Sequence, residues 1–344
     1  MSKPIGIGVV GLGHWGPNHV RVFSQAAGAR MVAAADPSAD RRRHVANLYR
    51  DVELVASAED LVRRSDVDAV VIATPARTHV QLATLALDAG KHVLLEKPMC
   101  TSLADARALL SAATNAGRVL MHGHVFIYNA GIRYVKERLA RGDFGAVQYV
   151  HATRTNLGPI RQDVNVVEDL ATHELTIFDY LFGRSPNWVS ASGGRLLGTD
   201  REDVAFITLE YGDTALAHVH VSWLNPQKVR EITVVGTQRM VVWDDMQANE
   251  PVRVYDKGLM EEPYYDSFGE FQLRLRDGDI VVPRITSQEP LKTQADAFIR
   301  RLSTGEPTPT EGDAGVRLVA CLEAIRESLE GAGRRVAVPV EVGT

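Results

Sequence analysis

Three groups of residues have the types and spacing to do chemistry. The first is Lys97, set between Glu96 and Pro98 after the apolar run Val93-Leu94-Leu95. A lysine that ends a buried strand presents an ammonium donor at one defined edge. Pro98 stops the strand, and a cis bond before it would aim Lys97 sharply. The second group is the stripe Asp169, His173, Thr176 and Tyr180 within the otherwise apolar stretch NVVEDLATHELTIFDYLFG, residues 165–183. Spacings of 4, 3 and 4 place all four on one face of a helix, with Asn165 as its cap and Gly183 as its stop. An aspartate one turn before a histidine fixes its tautomer and supports its charged form, as general acid–base work requires. Such a pair contributes little on an exposed surface; the apolar girth of this helix argues for function. The third group is GLGHWG, residues 11–16, with Gly11, Gly13 and Gly16 in G-x-G-x-x-G spacing and His14 and Trp15 inside the turn.

Those glycines suit a dinucleotide. The first allows the tight turn, the second lets the backbone approach a pyrophosphate, and the third lets helix and strand pack closely. The helix that follows offers free N–H groups and a positive dipole end. Asp36 lies 20 residues past Gly16, where an acid can hold both ribose hydroxyls. A carboxylate there repels a 2′-phosphate, which favours NAD over NADP. Arg41, Arg42 and Arg43 stand close enough to reverse that preference, or form a solvated helix face.

The elements that position these groups alternate. Strands are expected at 5–10, 31–36, 68–75, 92–98 and 118–126, and helices at 17–26, 78–90 and 102–117, the last capped by Ser102 and stopped by Gly117. Near-continuous apolar strands between amphipathic helices mean a doubly wound parallel sheet, whose ligands bind beyond the carboxyl ends of its strands. Thr74, Pro75 and His79 fall at that edge, as does Lys97. From residue 123 the pattern changes. A helix over 129–145 and a strand over 146–156 precede two stretches of period-2 alternation, 203–225 and 229–245, broken by turns at Gly212-Asp213 and Gly236-Thr237. Helical patterns close the chain at 291–302 and 313–333. The expected fold class is therefore α/β. Residues 1–122 form a Rossmann domain, and residues 123–344 form an α+β domain with a mainly antiparallel open sheet.

Composition narrows the function. The 344 residues carry a net charge of -5, which points to neither nucleic acid nor an anionic membrane. A membrane span needs about 20 apolar residues, and no such run is found. Two distant cysteines, Cys100 and Cys321, fit a reducing compartment, so a cytoplasmic protein is expected. His122 and His124, like His218 and His220, sit in strand spacing without carboxylate partners, and no metal site is expected. Cys100 reads as a small buried hydrophobe.

GLGHWG, then ATPARTHV, EKP, and D-x-x-x-H with a glycine ten residues after the histidine, together resemble the Gfo/Idh/MocA oxidoreductases over essentially the whole chain. These are the relatives of glucose–fructose oxidoreductase and inositol 2-dehydrogenase. The resemblance implies Lys97, Asp169 and His173 as the catalytic trio. It also implies Gly11, Gly13, His14, Trp15, Gly16, Asp36, Thr74, Pro75, His79, Glu96 and Lys97 around the cofactor, and a homodimer or homotetramer built through the C-terminal sheet. Two positions depart from the common pattern: Ile127 stands where many members carry arginine, and Thr176 where many carry aspartate. Both touch substrate contacts. The stretches at 154–177 and 220–245 resemble most closely the branch acting at carbon 3 of nucleotide-linked and amino sugars. Tyr128, Arg154, Arg161 and Asn165 join Lys97 and His173 as candidate substrate residues; Tyr128 reads equally as core, and the other three equally as loop and capping residues. Whether Lys97 or His173 is the formal base is open. The rival readings are an NAD-dependent glycoside hydrolase that oxidises carbon 3 transiently, and a non-catalytic NAD-binding regulator.

Overall fold

The computed structural model describes residues 3–162, 164–212, 215–261 and 273–339. In chain order, the first part alternates β1 (Ile5–Val10), α1 (Gly16–Gln25), β2 (Ala29–Ala35), α2 (Ala39–Leu48), β3 (Glu53–Val55), α3 (Ala58–Val62), β4 (Ala69–Ile72), α4 (His79–Asp88), β5 (His92–Leu95), α5 (Leu103–Asn115) and β6 (Leu120–His122). Then come α6 (Ala130–Ala140), β7 (Val147–Leu157), α7 (Thr172–Phe182), β8 (Trp188–Gly194), β9 (Val204–Tyr211), β10 (Ala215–Ser222), β11 (Leu224–Gly236), β12 (Met240–Asp244), β13 (Val252–Glu261) and β14 (Leu273–Val281). Two helices, α8 (Pro290–Thr304) and α9 (Ala314–Glu330), and the short β15 (Val336–Ala337) complete it.

The chain forms two compact units. The first holds a six-stranded, all-parallel sheet in the order β3-β2-β1-β4-β5-β6. The order reverses between β1 and β4, the switch point where such sheets take ligands. Its strands are apolar on both sides: Ile7, Val9, Val70, Val71, Ile72 and Val93 are all fully buried. Sequence reading divides the chain once, at residue 122. The contacts instead return residues 288–323 to the first unit. There, Phe298 of α8 meets Phe23 of α1 edge-on at 6.3 Å, Thr310 bonds Tyr128, and Glu323 accepts the N–H of Leu103 at 2.8 Å.

The second unit holds a nine-stranded sheet in the order β14-β13-β12-β11-β7-β10-β9-β8-β15. Its pairs are antiparallel except β7 with β10, which run parallel. Period-2 alternation reports which residues share a face and not which way a neighbour runs, so this pair is invisible in the sequence. One face buries Val150, Ala152, Ile207, Val219, Val221 and Val234. The opposite face carries Tyr149, Phe206 and Leu216, between 46% and 49% exposed. On it His151 stacks on His218 at 5.2 Å, and Phe206 on His220 at 4.6 Å. The Gly212-Asp213 turn expected between β9 and β10 includes Asp213, which lies outside the described residues; Gly236 closes β11 as read.

Candidate functional site

Candidate residues occur in both units. In the first unit, β1 runs into the glycine turn. Gly11 has φ +93, open only to glycine at low cost, and a Cβ on Gly16 would meet the Gly11 carbonyl oxygen at 1.9 Å. A Cβ on Gly13 would meet nothing within 4 Å, so the turn has open space beside it. Trp15 caps α1 without a side-chain hydrogen bond, so the positive end of the helix dipole faces the turn; in the first turn Pro17 carries no N–H and the Asn18 N–H bonds the Trp15 carbonyl at 3.0 Å. His14 and Trp15 are exposed and pair edge-on at 5.6 Å.

Asp36 follows β2 directly. Its carboxylate accepts the N–H of Leu12 at 2.8 Å and of Ser38 at 2.8 Å, which fixes it against the glycine turn. Arg41 reaches it at 3.5 Å, and Arg42 donates to the Asp36 carbonyl at 2.5 Å. Open space at Gly13, an uncapped helix end and an anchored acid at the second strand together fit a dinucleotide. Arg43 pairs with Asp40 on the surface instead.

Lys97 lies two residues past the end of β5, in the turn rather than on the strand, and the Lys97–Pro98 bond is cis. Its backbone N–H donates to Glu96 Oε2 at 3.2 Å. Thr74 accepts from the Thr78 hydroxyl at 2.8 Å, and Pro75 opens the short turn before α4. The resemblance places His79 beside the cofactor; in the fold its ring is fully buried. Its Nδ1 lies 2.8 Å from the Pro98 carbonyl and its Nε2 2.9 Å from the Thr74 carbonyl, so the ring sits between the loops after β4 and β5, and in its neutral form donates to one of the two carbonyls. Burial pulls its pKa below the ordinary histidine range, against those carbonyls. Glu96 is also buried, on His19. Beyond β6, burial holds His122 near pKa 4, while burial, His122 and the charge of Lys97 hold His124 near 3. Tyr128 is buried, with its hydroxyl 2.8 Å from that of Thr310. Burial pushes the Cys100 thiol up to about 11, consistent with an inert core residue.

In the second unit, the stretch 165–183 is not one regular helix. A π-helical turn, Val167–Ala171, precedes α7. The wider coil breaks the 4-3-4 register between Asp169 and the residues that follow, correcting the expected single stripe; π turns of this kind recur at functional sites. Asp169 sits inside the turn. The indole N–H of Trp223 donates to its Oδ2 at 3.2 Å, and Arg161 reaches its Oδ1 at 3.3 Å. His173 opens α7 and is half-buried. Thr176 is buried, its hydroxyl turned back to the Thr172 carbonyl at 2.6 Å, and Lys136 lies over the Tyr180 ring at 5.5 Å. Asn165 does cap the segment: its side chain accepts from Glu168 N at 2.9 Å and donates to Glu202 at 3.1 Å. Arg154, named as a substrate residue, is instead buried on Glu174 at 2.6 Å, behind the helix that presents His173. Of the substrate candidates in this unit, Arg161 alone is exposed.

Sequence reading did not single out His19, Glu174 or the bond from Trp223. His19 follows the third glycine by three residues and Glu174 adjoins His173, so both positions were within reach. Among the described residues no cluster of three or more His, Cys, Asp or Glu could hold a metal, and no helix is long and apolar enough to cross a membrane.

Comparison with known proteins agrees across both units. Residues 5–124 match the GFO_IDH_MocA description "Oxidoreductase family, NAD-binding Rossmann fold", and residues 132–242 match the GFO/IDH/MocA C-terminal domain. The chain is 30% identical to UDP-N-acetylglucosamine 3-dehydrogenase of Acidithiobacillus ferrooxidans over 74% of its own length and 78% of that protein. It is 36% identical to inositol 2-dehydrogenase of Gluconacetobacter diazotrophicus over 52% of its length, which spans only 54% of that enzyme. The crystal structure of UDP-N-acetylglucosamine 3-dehydrogenase from A. ferrooxidans superposes with a TM-score of 0.80 at 26% identity, covering 96% of this chain and 99% of that one.

Proposed function

The chain belongs to the Gfo/Idh/MocA oxidoreductase family, and on that premise we propose that it is an NAD-dependent dehydrogenase interconverting a hydroxyl and a ketone on a sugar. The reading extends to carbon 3 of a nucleotide-linked or amino sugar, supported by the 30% identity to a UDP-N-acetylglucosamine 3-dehydrogenase. The observation that carries it is the Lys97 turn. A lysine stands just past β5, at the carboxyl edge of the sheet whose first strand leads into the glycine turn.

Bound NAD would supply the ring that exchanges hydride with the sugar carbon. Gly11, Gly13, Gly16 and the uncapped start of α1 hold its pyrophosphate, and Asp36 holds the adenosine ribose. Asp36 also favours NAD over NADP, since its carboxylate opposes a 2′-phosphate. Lys97 donates a hydrogen bond to the reacting oxygen and stabilises the negative charge that develops there. His173 takes the hydroxyl proton, and Asp169, steadied by Trp223 and Arg161, orients the ring. Arg161 is the substrate contact proposed from the second unit. The open sheet face with Tyr149, Phe206 and Leu216 is the proposed homo-oligomer surface, and the cytoplasm the proposed compartment.

The test is NADH absorbance with purified protein against nucleotide sugars, sugar phosphates and amino-sugar glycosides, with NAD and NADP in parallel. Net NADH formation with a nucleotide sugar supports the reading. Aglycone release without NADH accumulation assigns a redox hydrolase instead. NAD binding with no turnover in either direction, keto-sugars included, assigns a regulator.

A further inference from the structure

His19 lies in the first turns of α1, three residues past the last glycine of the turn, and is 1% exposed. Its Nε2 stands 2.8 Å from Glu96 Oε1. The other oxygen of the same carboxylate accepts the backbone N–H of Lys97 at 3.2 Å. One buried carboxylate therefore joins the helix that begins at the glycine turn to the backbone of the lysine.

Three further observations make this a built arrangement. A Cβ on Gly123 would come within 3.1 Å of the Glu96 carboxylate, so the backbone after β6 closes directly on it. The His19 ring stacks on Phe23 at 6.4 Å, which fixes its plane. With Nε2–H donating to Glu96, the other ring nitrogen, Nδ1, is buried and has no hydrogen-bond partner among the described residues. A purely apolar residue would fill the same space without burying an unsatisfied nitrogen. On the far side of the turn, His79 holds the Pro98 carbonyl at 2.8 Å. The Lys97 residue is thus bracketed by two buried histidines.

We infer that His19 is a positioning residue of the reaction: through Glu96 it sets the Lys97 backbone in register with the glycine turn. The inference rests on Lys97 acting at the reacting oxygen. Its structural part, control of the Lys97 backbone from α1, is open to test without any substrate.

Two substitutions separate the hydrogen bond from the packing. His19→Phe keeps a ring and loses the donor; His19→Gln keeps a donor near the Nε2 position and loses the ring. Three quantities are compared with wild type: the rate of Lys97 acetylation in protein without cofactor, read by peptide mass spectrometry; NADH affinity by fluorescence; and kcat with KM for the sugar. His19→Phe is expected to acetylate Lys97 several-fold faster while NADH affinity stays within about threefold. Its kcat is expected to fall about 10- to 100-fold at unchanged KM, the scale expected of a misplaced catalytic group. His19→Gln is expected to return all three towards wild type. If His19→Phe does not fold, Glu96→Gln, whose amide cannot accept from both partners as the carboxylate does, is read on the same scale. Wild-type acetylation in His19→Phe, or His19→Gln behaving like His19→Phe, overturns the inference. If the wild type turns over no sugar, the proposed reaction fails, and the acetylation rates still decide whether His19 governs the Lys97 turn.

Discussion

Acidification should unfold this protein through two histidines that do no chemistry. His122 and His124 are buried, and their folded pKa values lie near 4 and near 3. In an unfolded chain histidine titrates near about 6.5. The folded values are depressed, so below pH 6.5 the unfolded state binds protons that the folded state refuses. The stability these groups contribute is complete above about pH 6.5 and is lost as the pH falls towards their folded values. Each site costs about 1.4 kcal/mol per pH unit over that range, so the pair costs about 4 kcal/mol between pH 6.5 and pH 5. That is a large fraction of the roughly 5–15 kcal/mol by which a domain is stable. The assay is urea unfolding of wild type and of the His122→Gln/His124→Gln double variant, each at pH 7 and pH 5. The other histidines are common to both proteins and cancel in the comparison. Wild type should lose about 4 kcal/mol more than the double variant on acidification. Equal losses would refute the reasoning, because they would mean that the folded protein protonates these rings freely.

Lys97→Met should raise the proton affinity of His124, whose depression owes its smallest part to the Lys97 charge, and so leave the loss between pH 7 and pH 5 unchanged while reducing the further loss between about pH 4 and pH 3, read by the same urea unfolding. Lys97→Ala and His173→Ala should each lower kcat by about 100-fold or more while NADH binding, read by fluorescence, persists; normal turnover in either would remove that residue from the site. Asp36→Ser should raise KM for NAD and lower KM for NADP, with Arg41 and Arg42 left to meet a 2′-phosphate; an unchanged NAD/NADP ratio of kcat/KM would deny Asp36 its role at the ribose. Glu174→Leu strands the buried Arg154 charge and should cost about 3–5 kcal/mol in urea unfolding, whereas replacing both partners with apolar residues should recover most of it.

The parallel sheet was legible because its signal is redundant. Buried β-branched runs, glycine stops and Ser102 at a cap agree on each element, and Ser102 does accept from Asp105 N at 3.1 Å. The stretch from 39 to 62 went unassigned because β3 has three residues and α2 buries only Val45, which leaves little period to read. At the site, residue type and spacing single out Lys97, Asp36 and the glycines, whose local settings lie within a few residues of chain. Type and spacing do not report the settings of Arg154, His79 and Tyr128, whose partners lie at other points along the chain: Glu174, the Thr74 and Pro98 carbonyls, and Thr310. A side chain's type says what it can bond; only the fold says which partner reaches it first. The π turn escaped for a related reason, since one extra residue per turn leaves the composition of the segment unchanged.

The return of residues 288–323 to the first unit bears on how the chain is made. Synthesis runs from the amino end at about 5–20 residues per second. When residue 128 has emerged, the parallel sheet has all six strands but lacks α8 and the early part of α9. About 195 further residues must follow before those segments arrive, a wait of roughly 10–40 s at that pace. During it, Phe23 and the amide of Leu103 wait for Phe298 and Glu323. A ribosome-bound chain halted near residue 287 should therefore display an incomplete nucleotide fold, open to proteases and chaperones, and cutting the gene at the apparent domain border should yield a fragment that precipitates.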